Sequence, residues 1–409
     1  MASASASASA SASASASASA SASVSASASA RLGGAIRGRT AVVAVGNTAQ
    51  GTVPGISADE LAVEGLRVTL AGSGIDKAEI DGLITCKSYG GFGIDTEIGR
   101  LAGLNPAYSA TLDYGTCNFS LHLACAVIDA GLASVVAIVY GTNQRSAGNT
   151  FSHPLGRQDE ASVYGFLNVA GPAAMAFRRH QLLHGTTEAD LAEISVSQRG
   201  YAVDNPLAIF RAPMSVEDYL AAPYLVAPLR RADLCMISDG AACLIVARAD
   251  RAAELTERPV HVMGIAQQTG LRDRQNADQW LRPWIRQVAE RVYPAAGIDQ
   301  DGIDALYIQD PTSVWVLQML EYYGFVEPGG VGEAFRSGAI GHGGRLPLNT
   351  NGGQLSEAYM WGFLHLCEAV RQLRGDAGER QIEGLTTAQY CSTFGFMKAA
   401  STILSTEAP

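Results

Sequence analysis

Hydrophobic and polar positions follow two different periods along this chain, in the order typical of an α/β protein. Short β-branched runs closed by glycine, such as TAVVAVG at residues 40 to 46, predict strands. The next segment, ADELAVEGLRVTLAGSG, has apolar residues three and four apart and predicts a helix. The same reasoning predicts strands over IDGLIT, ATLDY and SVVAIVYG, and a helix over CNFSLHLACAVIDAG.

The pattern starts again in the second half of the chain. PVHVMGIAQQ and IDALYIQD predict strands, while ADQWLRPWIRQVAERVY and SVWVLQMLEYYG predict helices. A further helix is predicted over YMWGFLHLCEAVRQLRG, opening on Tyr359 and ended by Gly375. Two successive α/β halves of similar order predict a duplicated fold with helices on both faces of the sheets.

Changes in composition divide the chain into three parts. Residues 1–37 are mostly an alternation of alanine and serine with nothing to bury, so they are expected to be disordered. Residues 38–254 and 255–409 are predicted to form an N-terminal and a C-terminal domain, separated near the polar segment RAAELTERP. Residues 142–225 combine helical patterns with proline-containing loops and are interpreted as an insertion in the first domain, lying over the core.

Composition excludes several classes of function. A net charge of -10 argues against a nucleic-acid surface, which requires clustered lysine and arginine. The most apolar stretch is broken by polar residues, so no membrane span is predicted. The seven cysteines include no CxxC pair, so neither a metal site nor a disulfide framework is expected, and a cytoplasmic location fits.

Two long segments carry a resemblance to a known family. MSVEDYLAAPYLVAPLRRADLCMISDGAACLIVARADRA, at residues 214 to 252, and RLPLNTNGGQLSEAY near residue 350 resemble the thiolase superfamily. The resemblance is to its branch of sterol-carrier-protein and lipid-transfer-protein thiolases and aldolases. It implies the thiolase fold of two duplicated layered α/β domains, with an insertion in the first. It also implies a coenzyme A thioester as substrate, no tightly bound cofactor, a homodimer, and in some members a small zinc-ribbon and OB-fold partner protein.

The resemblance implies positions for the catalytic residues. Thiolases use a nucleophilic cysteine at a helix start, and that position falls here on Tyr114, with Cys117 three residues later. Cys117 could still be a first-turn nucleophile, but it shares an apolar helical face and is more simply a core residue. The histidine of the superfamily's Gly-His-Pro motif is replaced by Tyr359. In the aldolase-like members a tyrosine at this position moves a proton to or from oxygen without a covalent acyl-enzyme. A tyrosine with an ordinary pKa of about 10 needs help from neighbours to act as a base.

Two further pieces of the superfamily's site are altered. In IQDPTS, Asp310 matches a family aspartate, whereas Gln309 replaces a histidine or tyrosine. Glutamine can donate to a carbonyl oxygen but cannot shuttle protons. Cys391, in QYCSTFGFMKAAS, aligns approximately with the second thiolase cysteine, and a structural role for it is equally compatible with the pattern.

The glycine-rich loop before Tyr359 supplies the predicted substrate contacts. Its small residues allow close backbone approach, so its amides could line a thioester pocket. The predicted contacts are Asn349, Asn351, Gly352 and Gly353, with His342 and Arg345 as weaker candidates for coenzyme A phosphate. A plain multi-turn connection is the alternative interpretation.

Three functional hypotheses follow from these residues. The first is an acyl-CoA carbon-carbon lyase of the lipid-transfer-protein aldolase type, with Tyr359 as the proton-transfer residue. The second is a thiolase that uses Cys117 as nucleophile and Cys391 as acid and base. The third is a non-catalytic subunit that binds acyl-CoA or lipid and has kept only the fold.

Overall fold

The structure, a computed structural model, describes most of the 409-residue chain and shows alternating strands and helices throughout. The described residues are 35–87, 94–113, 116–148, 168–270, 281–395 and 397–409. None of the helices in these ranges is both long and apolar enough to cross a membrane.

Eleven strands and twelve α-helices lie within the described ranges. The strands are β1 (Thr40–Asn47), β2 (Gly82–Lys87), β3 (Tyr108–Asp113), β4 (Val135–Thr142), β5 (Tyr224–Val226), β6 (Leu229–Arg230), β7 (Gly240–Arg248), β8 (Val260–Thr269), β9 (Ala305–Ile308), β10 (Thr387–Phe394) and β11 (Lys398–Ser405). The helices of the first half are α1 (Ala58–Ser73), α2 (Ile94–Ala102), α3 (Cys117–Asp129), α4 (Ala170–His184), α5 (Glu188–Val203), α6 (Val216–Ala221) and α7 (Ala249–Leu255). Those of the second half are α8 (Arg286–Ala296), α9 (Ser313–Tyr322), α10 (Val331–Arg336), α11 (Gly353–Ser356) and α12 (Phe363–Arg374).

Nine strands form one sheet in the order β3-β2-β4-β7-β1-β8-β11-β10-β9. On one side of β1, β7 pairs antiparallel with β1, and β4 pairs antiparallel with β7. The outer strands are parallel: β2 pairs with β4, and β3 pairs with β2. On the other side of the sheet, β11 pairs antiparallel with β8, β10 pairs antiparallel with β11, and β9 pairs parallel with β10. Leu348 adds a parallel bridge to Leu306 at the outer edge of β9. The same succession of directions in both halves is the duplication that the sequence predicted.

The local sequence explains how the outer helices form. Ser57 and Glu60 make a reciprocal capping box at the start of α1, and Gly74 ends the helix in a left-handed conformation. The buried face of α1, which includes Ala62 and Leu66, packs with strands of the first half in one hydrophobic cluster. Helices α8 and α9 contribute to the corresponding cluster on the second half.

Helices α3 and α12 lie between the two halves of the sheet. Both are buried along most of their length and share one hydrophobic cluster with strands of both halves. Helix α3 contacts β4 and β7 of the first half and β10 and β11 of the second. The two halves therefore share an inner helical layer, and the start of each inner helix lies where the halves meet.

The insertion contains α4, α5 and α6 and packs against the second half. His180 of α4 binds both carboxylate oxygens of Glu321 in α9, at 2.9 and 3.0 Å, with both side chains buried. The helices predicted in the insertion are confirmed. The domain boundary after residue 254 stays a prediction; it falls at the end of α7.

One predicted helix begins later than expected. The sequence predicts a helix from Tyr359, but α12 begins at Phe363. Trp361 and Gly362 have φ angles of 50° and 82°, so two consecutive residues are left-handed and break the helical path. Tyr359 consequently lies in a short irregular segment between α11 and α12.

Candidate active site

Tyr359 lies at the centre of the buried segment 357–362. Its side chain is 8% exposed, and its ring centroid lies 5.6 Å from that of Trp361. The backbone N–H of Tyr359 donates to Ser238 Oγ at 3.4 Å. Ser238 directly precedes the turn into β7, so a residue of the first half holds the tyrosine of the second.

The start of α3 contacts the same segment. The backbone N–H of Cys117 donates to the carbonyl oxygen of Trp361 at 3.1 Å. The Trp361 ring also lies beside Phe394 at the end of β10, with ring centroids 6.0 Å apart. The start of α3, the end of β10 and the Tyr359 segment therefore form one continuous site.

A buried polar network fixes the first turn of α3 to the second half of the sheet. Asn118 Nδ2 donates to the carbonyls of Tyr390 and Ala400, both at 3.1 Å, and to Ser392 Oγ at 3.0 Å. Thr402 Oγ1 donates to Asn118 Oδ1 at 2.5 Å. Because every polar group of Asn118 is engaged, the position of the helix start is set by side-chain geometry as well as by packing.

The predicted nucleophile positions differ in what the structure shows of them. Tyr114 lies outside the described residues. Cys117 is the first residue of α3, and its side chain is fully buried. Burial raises the pKa of the Cys117 thiol well above its ordinary value, with the neighbouring Cys367, Cys86 and Cys243 adding to the effect. A thiol held protonated in an apolar cluster is a core residue and a poor nucleophile.

Cys391 faces away from the Tyr359 segment. It packs in the cluster that contains α8 and α9, whereas its neighbour Tyr390 packs in the inner cluster with Tyr359. Burial raises the pKa of the Cys391 thiol to about 12, and its Sγ lies 3.6 Å from Ser401 Oγ. Since alternate residues of a strand point to opposite faces, the structure places Ser392, and not Cys391, toward the start of α3.

Gln309 and Asp310 follow β9 and are both buried. The backbone N–H of Gln309 donates to the Cys391 carbonyl at 2.8 Å, and its Oε1 accepts the N–H of Thr393 at 3.2 Å. Gln309 therefore lies beside the end of β10, next to Phe394. With its oxygen engaged, its amide NH2 is the end that can donate to a substrate oxygen.

Asp310 holds the elements on either side of Tyr359. Its Oδ1 accepts the N–H of Gln354 and the Nε2 proton of His365, both at 2.9 Å. Its Oδ2 accepts the N–H of Leu355 at 3.1 Å. The aspartate predicted as a site residue therefore acts on α11 and α12 directly.

Residues 347–353 of the glycine-rich loop are buried, and their polar groups bind one another. Asn349 exchanges two hydrogen bonds with the backbone of Ile308, at 2.7 and 2.9 Å. The N–H of Gly352 donates to the Asn349 carbonyl, and the N–H of Gly353 to Asn351 Oδ1. These residues shape the loop, because their amides are already engaged within it. Their contact with a thioester stays a prediction.

His342 and Arg345 are exposed on the same loop. The N–H of His342 donates to Ser197 Oγ at 2.8 Å, and its ring meets the Tyr201 ring edge-on at 4.7 Å between centroids. The N–H of Arg345 donates to the Gly338 carbonyl. Their side chains are therefore open to solvent on the insertion side, and a role in phosphate binding stays a prediction.

Two residues of the site were missed by the sequence. The sequence does not single out Ser238, yet its Oγ accepts the backbone N–H of Tyr359. His365 was given no role, yet it binds Asp310, a residue 55 positions earlier. Each of these two contacts joins residues far apart in the sequence, so a single sequence has no local signal for it. Within the described ranges, no group of three or more His, Cys, Asp or Glu side chains could hold a metal ion.

Comparison with known proteins gives a consistent set of relatives. Residues 266–406 match the family described as Thiolase C-terminal domain-like. The chain is 31% identical over 374 residues to 17-hydroxy-3-oxo-4-pregnene-20-carboxyl-CoA lyase of Mycobacterium tuberculosis, covering 83% of this chain and 92% of that protein. It is also 31% identical to a steroid side-chain-cleaving aldolase of Thermomonospora curvata, over 83% of this chain and 91% of the relative.

A solved structure described as Ltp2-ChsH2(DUF35) aldolase superposes on the chain with a TM-score of 0.80 and 28% identity. The superposition covers 90% of this chain and 98% of the other. This overlap confirms the fold class that the sequence predicted.

Proposed function

The chain belongs to the thiolase superfamily, in the branch that includes the steroid side-chain-cleaving aldolases, and we propose that it is a retro-aldolase acting on a β-hydroxyacyl-CoA. The two relatives are named as a carboxyl-CoA lyase and a steroid side-chain-cleaving aldolase. For this chain we propose the shared chemistry, which is cleavage of the bond between the α and β carbons of a coenzyme A thioester.

The reaction requires no oxidant, reductant or metal ion to balance. A base takes the proton of the β-hydroxyl, and the electrons of that O–H bond form the new carbonyl. The bond between the α and β carbons breaks, and its electron pair moves into the thioester as an enolate. The enolate then takes a proton at the α carbon, so the products are a ketone or aldehyde and a shortened acyl-CoA. The protein needs one group that moves a proton at the β-oxygen and donors for the thioester oxygen.

Tyr359 carries the proposal. Its phenol lies in the segment to which α3, β10 and Ser238 converge, and burial raises the pKa of the nearby Cys117 thiol, which keeps that thiol protonated. We propose that the Tyr359 hydroxyl takes the β-hydroxyl proton and returns a proton later in the cycle. A covalent acyl-enzyme is not part of this mechanism.

Gln309 is our proposed donor to the thioester oxygen. Its carboxamide oxygen is held by the Thr393 N–H, which orients the NH2 group away from β10. A hydrogen bond from a neutral amide stabilises charge that develops on the thioester oxygen as the enolate forms. Glutamine cannot move protons. Proton transfer therefore rests on Tyr359 alone, or on a second residue for which Tyr114 is the candidate.

The positions of the two buried thiols argue against the thiolase alternative. Cys117 and Cys391 lie in different hydrophobic clusters on different faces of the sheet, so the structure does not bring them to one substrate. The remaining alternative is a subunit that binds acyl-CoA without turnover. We also propose a homodimer in the cytoplasm and a small acyl-CoA-binding partner protein; in support of a partner, the description of the solved aldolase names a second component, ChsH2(DUF35).

The test is product analysis with a β-hydroxyacyl-CoA that carries a tertiary β-hydroxyl. Mass spectrometry should find the ketone and the shortened acyl-CoA in equal amounts, for the chain alone or with the protein that copurifies with it. Acyl transfer from a 3-ketoacyl-CoA to free coenzyme A, with an adduct on Cys117, would instead establish a thiolase. Tight binding of the ester without product in either preparation would establish the binding subunit.

A further inference from the structure

One buried carboxylate contacts the chain on both sides of Tyr359. Asp310 is fully buried. Its three hydrogen bonds come from the backbone of Gln354 and Leu355 in α11 and from the ring of His365 in α12. The first two precede Tyr359 and the third follows it, so a single side chain fixes the separation of the two helices that bracket the tyrosine.

The bracketed segment needs such support. Gln354 Oε1 accepts the N–H of Gly362 at 3.1 Å, which closes the segment into a loop. Trp361 adopts a left-handed φ of 50°, which a bulky residue avoids unless its surroundings impose it. Asp310 anchors Gln354 directly, so the loop closure and the strained backbone both depend on the position of this carboxylate.

His365 is placed to orient Asp310. Its side chain is fully buried, and Nε2 lies 2.9 Å from Asp310 Oδ1, so Nε2 carries the shared proton. Its Nδ1 has no hydrogen-bond partner among the described residues. The hydrogen bond from Nε2 to Asp310 is therefore the polar contact through which His365 can act on the site.

We infer that Asp310 and His365 form a positioning pair that sets the geometry of Tyr359 for proton transfer. The inference rests on the proposed function, because it assigns the pair to the same site. His365 touches neither substrate nor reacting atoms; it acts through Asp310, and Asp310 acts through the backbone of α11. The pair is therefore expected to affect turnover more than substrate affinity.

The chain contains a matched control for a buried histidine and carboxylate. His180 and Glu321 are also buried and also 2.9 Å apart, but they join α4 of the insertion to α9. Removing either histidine takes one imidazole Nε2 away from a buried carboxylate. Only the loss of His365 is expected to change the geometry of Tyr359.

The experiment compares His365→Leu, His365→Gln and His180→Leu in the full chain, with any copurifying partner retained. We expect His365→Leu to lower kcat about tenfold or more while KM changes less than about threefold, since only the transition state depends on the tyrosine geometry. Glutamine has an amide nitrogen in the place of Nε2, so His365→Gln should restore most of kcat. His180→Leu should lower thermal stability and leave kcat unchanged.

A second readout does not depend on activity. With 3-fluorotyrosine incorporated at position 359, the fluorine resonance should be single in the parent protein and in His365→Gln. It should be shifted or split in His365→Leu and unchanged in His180→Leu. If His365→Leu does not fold, Asp310→Asn gives the same two readouts, because it keeps the volume and removes one acceptor.

The inference is overturned if His365→Leu keeps both the parent kcat and the parent fluorine resonance and loses only stability. It is also overturned if His180→Leu reproduces both changes. If the parent forms no cleavage products, the proposed function fails; if Tyr359→Phe retains full turnover, only the proton-transfer role of Tyr359 fails. In either case the fluorine resonance alone decides whether the pair positions the tyrosine.

Discussion

The backbone N–H of Cys117 donates to the carbonyl oxygen of Trp361, so the first residue of α3 is tied to the loop that carries Tyr359. The contact uses a backbone group of the cysteine and leaves its thiol in the apolar cluster behind it. Cys117, the nucleophile of the thiolase hypothesis, is here a structural junction between the halves of the fold.

Replacing Tyr359 with phenylalanine should remove proton transfer and preserve the fold. We expect kcat to fall by about 10²-fold or more, the range typical of losing a positioned acid or base. Binding of the acyl-CoA, measured by calorimetry, should change little. Tyr219→Phe is the matched control, because it removes a buried hydroxyl that donates to Asp233 at 2.7 Å in the insertion. That control should cost about 1 kcal/mol of stability and no turnover. Equal kcat for the parent and the Tyr359 variant would refute the assignment.

The Cys117 thiol should not become acylated. Because burial raises its pKa, incubation with a 3-ketoacyl-CoA should leave the intact mass unchanged, and iodoacetamide should label Cys117 only after unfolding. Cys117→Ala should keep its turnover and lose about 1 kcal/mol of stability. An acyl group mapped to Cys117 in the native protein would overturn the interpretation and support the thiolase alternative.

Gly362 should be far less tolerant of a side chain than Gly375, although both are left-handed. A Cβ at Gly362 would lie 1.6 Å from Tyr390 Oη, whereas one at Gly375 meets nothing within 4 Å. Alanine at either position costs about 1–2 kcal/mol for the backbone conformation. Gly362→Ala should cost about 1–3 kcal/mol more, through overpacking.

Denaturant midpoints of both glycine variants measure this difference. Combining Gly362→Ala with Tyr390→Phe should recover part of the additional loss, because the phenylalanine lacks the clashing oxygen. Equal costs at Gly362 and Gly375 would show that the segment can shift to make room.

His122 should make the protein less stable as the pH falls. Burial lowers the pKa of His122 from 6.5 to about 3, so the native state keeps the imidazole neutral while the unfolded chain takes up a proton. Between these values the unfolded state binds more protons, and stability is therefore lost as the pH decreases, by about 1.4 kcal/mol per unit. His122→Gln retains a donor toward Thr402, which lies 3.0 Å from Nε2, and cannot titrate. Relative to this variant, the parent should lose about 2 kcal/mol between pH 7 and pH 5 in denaturant titrations. Parallel pH profiles would contradict the assignment of a neutral, buried His122.

The order of the elements was predictable because each carries a local pattern. The capping residues of α1, the apolar runs of β1 and β4, and the glycines that end the helices act within a few positions of the chain. The duplication followed from repetition of that order, and the structure shows it as the repeated succession of strand directions.

The site was predictable only as a set of positions. The start of α12 was misplaced because Trp361 adopts a left-handed backbone, a conformation that its residue type does not signal. The sequence singles out Cys391, whereas its neighbour Ser392 contacts the start of α3, because a shift of one residue in a strand reverses its face and alignment alone does not fix the register. The link from Asp310 to His365 depends on the packing of α12 against the end of β9.

The interior position of β11 also has a consequence for synthesis on the ribosome. This strand lies between β8 and β10, and its Ala400 and Thr402 complete the hydrogen bonds of Asn118 in α3. Helix α3 therefore emerges with its polar side uncovered, because Thr402 follows Asn118 by 284 residues. Such a nascent chain exposes an apolar helix and open strand edges for many seconds, which makes it a natural client for a chaperone.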